Sequence, residues 1–163
     1  MWAQNVAFGI VAAAMAIAAL RVVTTKNLVH AALYLVIVLA GVAAQYILLA
    51  AEFVGWVQVL VYIGAIVVLF LFGIMLTRAP MGNHDDLDND QRWPALVVSL
   101  FLFGTIGVIL VDGFDDTKVE PETVRTTGEL AGSVFHDYVI PFEVVSMLLL
   151  AGLIGAVVMA RRD

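Results

Sequence analysis

Five long apolar blocks dominate this sequence: Trp2 to Leu20, Leu28 to Ala50, Val54 to Thr77, Pro94 to Val111 and Pro141 to Ala160. Each is at or near the ~20 residues with which an α-helix crosses a hydrocarbon core of ~30 Å. The chain is 63% hydrophobic and only 13% charged, so it lacks the polar surface a soluble domain of this size needs, and the bilayer is its natural solvent. No block alternates as a barrel strand does, and five is an odd count for a bacterial barrel. The expectation is an all-α integral membrane protein forming one domain over residues 1–163. Its five transmembrane helices are expected at about 2–20, 28–50, 54–77, 94–111 and 141–160.

The basic residues orient such a bundle. With five spans, the loops after the first and third helices share a side with the C-terminus. That side holds Arg21, Lys26, Arg78, Arg92, Arg161 and Arg162, whereas the other holds only Lys118 and Arg125. The excess of Lys and Arg on cytoplasmic loops therefore predicts an N-terminus outside and a C-terminus in the cytoplasm. The first block is read as a retained helix. No positive charge precedes it, while Arg21 and Lys26 follow it, the reverse of a signal peptide.

Neither long connection announces a binding site. Residues 78–93 contain His84, Asp85, Asp86, Asp88 and Asp90, but no glutamate closes a calcium-loop pattern, so a solvated loop is the expectation. The second, 112–140, opens with Asp112, Asp115 and Asp116. Further on, Thr126 and Glu129 have the spacing of a capping box. A short interfacial helix is expected from there, at about 127–138, through Leu130, Val134, Phe135 and Tyr138. Pro141 then suits the first turn of the fifth helix. Small residues recur at Gly9 and Ala13, Gly104 and Gly107, and Gly152 and Ala156, positions where membrane helices approach closely.

Charged and polar groups within the spans are expensive, and they narrow the search for function. Two carboxylates qualify: Glu52, just before the third helix, and Glu143, expected in the first turn of the fifth. Both are expected on the outer side, near helix N-termini whose dipoles favour negative charge. On the third helix Gly55, Gln58, Tyr62 and Ala65 recur at spacings of three and four, the pattern of one small and polar face. Tyr62 lies ten residues beyond Glu52, ~15 Å along an α-helix and near mid-membrane, where its hydroxyl needs a partner. Gly64, two residues on, is where the helix resists distortion least.

No enzyme site emerges. The chain has no cysteine, which excludes disulfides, thiolate metal centres and a cysteine nucleophile. His30, His84 and His136 fall at helix ends or in loops, no phosphate-binding glycine loop occurs, and no basic run invites nucleic acid. No catalytic, cofactor-binding or metal-binding residue is expected in this chain. A stand-alone transporter, with repeated halves and deep midplane charges, fits poorly.

The third span, from Glu52-Phe53-Val54-Gly55-Trp56 through Val61-Tyr62-Ile63-Gly64-Ala65-Ile66-Val67-Val68-Leu69-Phe70 to Leu76, resembles the signature of subunit J of proton-pumping NADH:quinone oxidoreductase, respiratory complex I. A second resemblance runs from Tyr138-Val139-Ile140-Pro141-Phe142-Glu143 to Leu150 and on to Ile154-Gly155-Ala156. A weaker one covers Asn27-Leu28-Val29-His30-Ala31-Ala32-Leu33. Elsewhere the likeness is one of helix placement and loop length.

The resemblance implies a non-redox subunit of the membrane arm in a bacterial plasma membrane. FMN, iron–sulfur clusters and quinone belong to its partner subunits. Its neighbours would include the quinone-binding subunit and a small glutamate-bearing subunit, with lipid around them. It also implies a π-bulge near Tyr62 and Gly64, proposed in the family to gate the coupling of quinone reduction to proton translocation. Gln58, Tyr62, Gly64 and Ala65 then form the candidate gating and proton-path set, with Glu52 and Glu143 as outer-side carboxylates. Two alternatives stand beside it: the equivalent subunit of a related membrane-bound hydrogenase or cation antiporter, and a purely structural packing subunit.

Overall fold

The computed structural model describes residues 2–76, 91–114 and 125–161 and is helical throughout its regular structure. The helices are α1 (Trp2–Thr24), α2 (Leu28–Leu48), α3 (Glu52–Leu76), α4 (Arg92–Phe114), α5 (Thr127–His136) and α6 (Val139–Ala160). All except α5 are long and apolar enough to cross a membrane. The five spans identify a multi-pass membrane protein. The acidic stretch at 84–90, and Arg78, Asp115, Asp116, Lys118 and Arg162, lie outside the described residues.

Contacts group the chain into two units, 1–123 and 124–163, each described by itself. The first unit is built on α2, which packs against both α1 and α3. Its core is made of small residues: Ala18, Ala32 and Ala43 are buried together with Val67 and Ile74. Lipid tails are as apolar as leucine, so helices in a bilayer gain most where short side chains bring backbones close. At Gly41 of α2 an added Cβ would stand 2.2 Å from Cγ of Met15 on α1. Gly41→Val is therefore expected to push α1 off α2 at a cost of about 1–3 kcal/mol. The pair Gly41→Val with Met15→Ala should recover most of that loss, measured as subunit stability in detergent.

The ends of α2 show how a membrane helix disposes of its orphan backbone groups. At the start, Oδ1 of Asn27 accepts from the N–H groups of Val29 (3.0 Å) and His30 (3.2 Å). At the finish, all four terminal carbonyls find donors. Leu49 N–H reaches Gln45, Ala50 N–H reaches Ile47, and Ala51 N–H reaches Tyr46, at 2.9–3.0 Å. This is a Schellman turn, with Ala50 at φ 58° in the left-handed position where glycine is usual. The fourth carbonyl, of Leu48, accepts from the side-chain amide of Gln4 on α1. This turn, invisible as a glycine signal, is why α2 stops at Leu48 and not at residue 50.

One amide in this unit is poorly served. Gln45 Nε2 donates to the carbonyl of Phe8 at 3.2 Å, but its Oε1 is buried without a partner among the described residues. An orphaned buried acceptor costs about 1–3 kcal/mol against roughly 1 kcal/mol from the bond made. Gln45→Met should leave stability unchanged or raise it, read from thermal unfolding of the purified complex.

In the second unit, the capping box at the start of α5 is formed as its spacing predicts. Thr126 Oγ1 accepts from Glu129 N–H, and Glu129 Oε2 accepts from Thr126 N–H at 3.2 Å. α5 ends at His136 and α6 starts at Val139, because Asp137 and Tyr138 both return their N–H groups to the carbonyl of Ser133 and close the helix in a turn. The rings of Phe135 and Phe142 meet edge-on across that turn, 5.0 Å apart. α6 thus begins two residues ahead of Pro141, which still falls within its first turn.

Candidate functional site in the third helix

α3 changes its winding twice. It is α-helical over Glu52–Val57, π-helical over Gln58–Val67 and α-helical again over Val68–Leu76. A π-helix spans ten residues here, whereas such winding commonly occurs as a single turn and often marks functional sites.

The burial pattern follows the winding. Gln58 and Val67 are 8% and 3% exposed. They are nine residues apart, which in an α-helix is two and a half turns and places them on opposite faces. With i→i−5 hydrogen bonds and roughly 4.4 residues per turn, the same interval closes about two full turns, and Val67 returns to the face of Gln58. That face meets α2. Gly55 sets the approach: an added Cβ would lie 3.0 Å from Cγ1 of Ile47 and 3.3 Å from the Ala43 carbonyl oxygen.

This departs from the face expected on a 3.6-residue period. Gly55 and Gln58 are buried as one pair, but Tyr62 and Ala65 are exposed, Tyr62 at 46%. Ile63 takes the half-buried position that Tyr62 occupies in an α-helix. The cause is the slower turn per residue, which by Tyr62 has already shifted the face by about 70°. The phenol therefore leaves the α2 side and projects from the chain near the middle of the span. Ile63 and Val67, which a fixed period overlooks, complete the inward line.

Gly64 keeps a helical backbone, since no glycine has positive φ among the described residues. A Cβ there would meet only the Val59 carbonyl oxygen, at 3.5 Å, an ordinary contact. Space does not require glycine in this conformation. Its contribution is to backbone freedom, the property that matters if the segment rewinds.

Neither carboxylate belongs to the π-helical segment. Glu52 is the first residue of α3 and is exposed; the preceding Ala51 supplies no side-chain cap, so the carboxylate is the acidic group of that first turn. Glu143 corrects an expectation. Because α6 begins at Val139, Glu143 falls in the second turn, past the free N–H groups whose dipole would favour it. Among the described residues, no three His, Asp or Glu side chains gather into a metal-binding group.

The profile of the family described as NADH-ubiquinone/plastoquinone oxidoreductase chain 6 matches residues 18–159, taking in the whole π-helix. The chain belongs to this family. It is similar to the F420H2 dehydrogenase subunit J of Methanosarcina mazei, 39% identical over 98% of this chain and 92% of that one. It is also similar to the NAD(P)H-quinone oxidoreductase chain 6 of Synechocystis sp., 36% identical over 98% of this chain and 82% of the relative. To the NADH-quinone oxidoreductase subunit J of Escherichia coli K12 it is 34% identical, over 90% of this chain and 81% of the relative. Each is named as a numbered chain or lettered subunit, so the family is one of parts of larger enzyme complexes, in which other subunits are the partners.

Proposed function

We propose that this chain is a non-redox membrane-arm subunit of a proton-translocating NADH:quinone oxidoreductase, and that its third helix gates the coupling. Family membership supports the first half of this reading, and the π-helix over Gln58–Val67 carries the second. A π-helix holds surplus residues relative to an α-helix of the same angular span. Rewinding it turns every side chain beyond the segment by a large angle, ~100° for each residue taken up. Tyr62 sits in the rewound part. In the π form it faces outward; in an α form it swings toward α2, into the place of Ile63. A hydroxyl that changes sides at mid-membrane makes or breaks a hydrogen-bonded water path. Gln58 is the fixed polar neighbour at the start of the segment, Ala65 the small residue that lets the turn pass, and Gly64 the flexible point.

The orientation proposed is N-terminus outside and C-terminus cytoplasmic, from the excess of Lys and Arg at the ends after α1 and α3 and after α6. The membrane is proposed to be a bacterial plasma membrane, as for the Escherichia coli relative. Flavin, iron–sulfur clusters and quinone are assigned to partner subunits. A chain without cysteine and with no metal-binding cluster among its described residues offers no fitting ligand set for an iron–sulfur centre.

A second reading concerns the electron donor. The Methanosarcina mazei relative, named for F420H2 and not for NADH, matches at higher identity and over more of its own length than the NADH-named one. The complex containing this chain would then oxidise F420H2.

Purifying the complex and offering each donor in turn decides between these readings. NADH oxidation coupled to proton uptake into vesicles is the expected result; oxidation of F420H2 alone would transfer the subunit to the second. Imaging the same complex at rest and during turnover tests the gate. A third helix that is π-wound in one state and α-wound in the other is expected, and identical winding in both would reduce the chain to scaffold.

A further inference from the structure

Apolar packing by itself leaves the rotation of α1 on α2 loosely defined. Alanine stands at Ala12, Ala13, Ala14, Ala16, Ala18 and Ala19, so a second backbone can come close on several sides of the helix, and close approach is what packing in lipid rewards. Met15 against Gly41 is one point of fit, but methionine is unbranched and adapts to many neighbours. Two polar bonds are more exacting. Gln4 of α1 donates its side-chain amide to the carbonyl of Leu48, and Gln45 of α2 donates its own to the carbonyl of Phe8 at 3.2 Å. The exchange is reciprocal: each helix gives one amide and receives one. Gln4 and Phe8 are one turn apart on α1, as Gln45 and Leu48 are on α2, so both bonds lie along the facing stripes. Leu48 is the last residue of α2, where a carbonyl is left over from the helical ladder. Sliding α1 by one turn, ~5.4 Å, would carry Gln4 past that carbonyl or back to ones already used within α2.

Stability does not account for Gln45. Its Oε1 is buried without a partner among the described residues, and a methionine of similar shape would remove that orphan. We propose that Gln4 and Gln45 form a clasp that sets the rotation and register of α1 on α2, a gain in specificity at a cost in stability. A single buried asparagine does the same in coiled coils, fixing the register of helices that apolar packing leaves free to slip. In a bilayer the device is sharper, because a Gln45 amide turned toward lipid finds no partner there. Both bonds are made inside the first unit, beside the turn that leads from α2 into α3, so the clasp also fixes where α1 stands against that turn. The inference is independent of any gate in α3.

The chain has no cysteine, so introduced thiols can report the orientation of α1. Met15→Cys with Gly41→Cys puts a pair on the observed contact. Ala14→Cys with Gly41→Cys, carried with Met15→Ala to clear the space, puts one thiol ~100° away on an exposed side of α1. Disulfide formation is followed in the intact complex in native membranes. With both glutamines present, the first pair should close about tenfold faster than the second, since a disulfide accepts a narrow range of Cβ separations. With Gln4→Leu and Gln45→Met together, the two rates should converge to within about threefold, while the thermal stability of the complex holds or rises. An unchanged preference in that variant would overturn the proposal and leave Gly41 as the residue that orients α1. Equal rates with both glutamines present would do so too. A large fall in thermal stability in Gln45→Met alone would also sink it, because the bond would then hold the helices together and not choose their orientation. Should the double variant fail to assemble, the single variants decide: each should narrow the preference, and a full preference in both counts against the clasp.

Discussion

Deleting Val61 and Gly64 together is expected to leave the chain folded and assembled while abolishing proton translocation. The reasoning is geometric. Wound as an α-helix, the shortened segment carries Gln58 to Val67 in seven steps, within about 20° of two full turns. Ile63 then falls four residues after Gln58 and Tyr62 three, each within about 40° of its direction in the π-helix. The faces that meet α2 are preserved, and what disappears is the surplus that permits rewinding. If the third helix gates coupling, the complex should still oxidise its electron donor but pump few or no protons, at least a tenfold loss in the ratio of the two. Wild-type pumping in an assembled deletion variant would remove the gate from the mechanism. Gly64→Ala is the mild companion: a Cβ fits in the present winding, so assembly should be untouched and any effect should appear in turnover alone.

Gly55→Leu should be the most damaging single substitution in the first unit. The Cβ alone would lie 3.3 Å from the Ala43 carbonyl oxygen, a backbone atom, and 3.0 Å from Ile47. A flexible side chain can step aside, whereas the backbone of α2 cannot without moving the helix. Ala43 is itself buried at 3% exposure, so no slack lies behind it. Overpacking of this kind costs about 1–3 kcal/mol in an ordinary core. Here it also tilts α3 at the start of the π-helix, so the expected outcome is loss of most of the subunit from the complex. Quantifying this chain in the purified assembly checks it; a normal yield would mean that α2 and α3 are less closely apposed.

Much of the architecture was legible without coordinates. The five spans follow from the length of the apolar blocks, because a helix that must cross ~30 Å of hydrocarbon has little freedom in length. Thr126 and Glu129 announce their capping box through spacing alone, since both hydrogen bonds are local. Family membership, too, was readable in the run around Tyr62. These features share one property: each depends on residues close together in the chain, or on the solvent, and not on what packs against what.

The winding of α3 is different. From Val59 to Val68 nearly every residue is apolar, so no polar face marks the period, and 3.6 and 4.4 residues per turn fit the letters equally well. The few distinctive residues, Gly55, Gln58, Tyr62 and Ala65, pointed to the wrong period. Burial of Val67 beside Gln58 against α2 reveals the right one. Likewise, nothing about Gln4 or Ala50 in isolation says that the first donates to the last carbonyl of α2 or that the second turns the chain in a left-handed conformation. The sequence by itself determined that the chain has five helices long and apolar enough to cross a membrane, and placed their starts to within two residues. Only the tertiary structure decided which side chains of the third helix face its neighbour, because in a segment apolar on all sides rotation is chosen by contact and not by water.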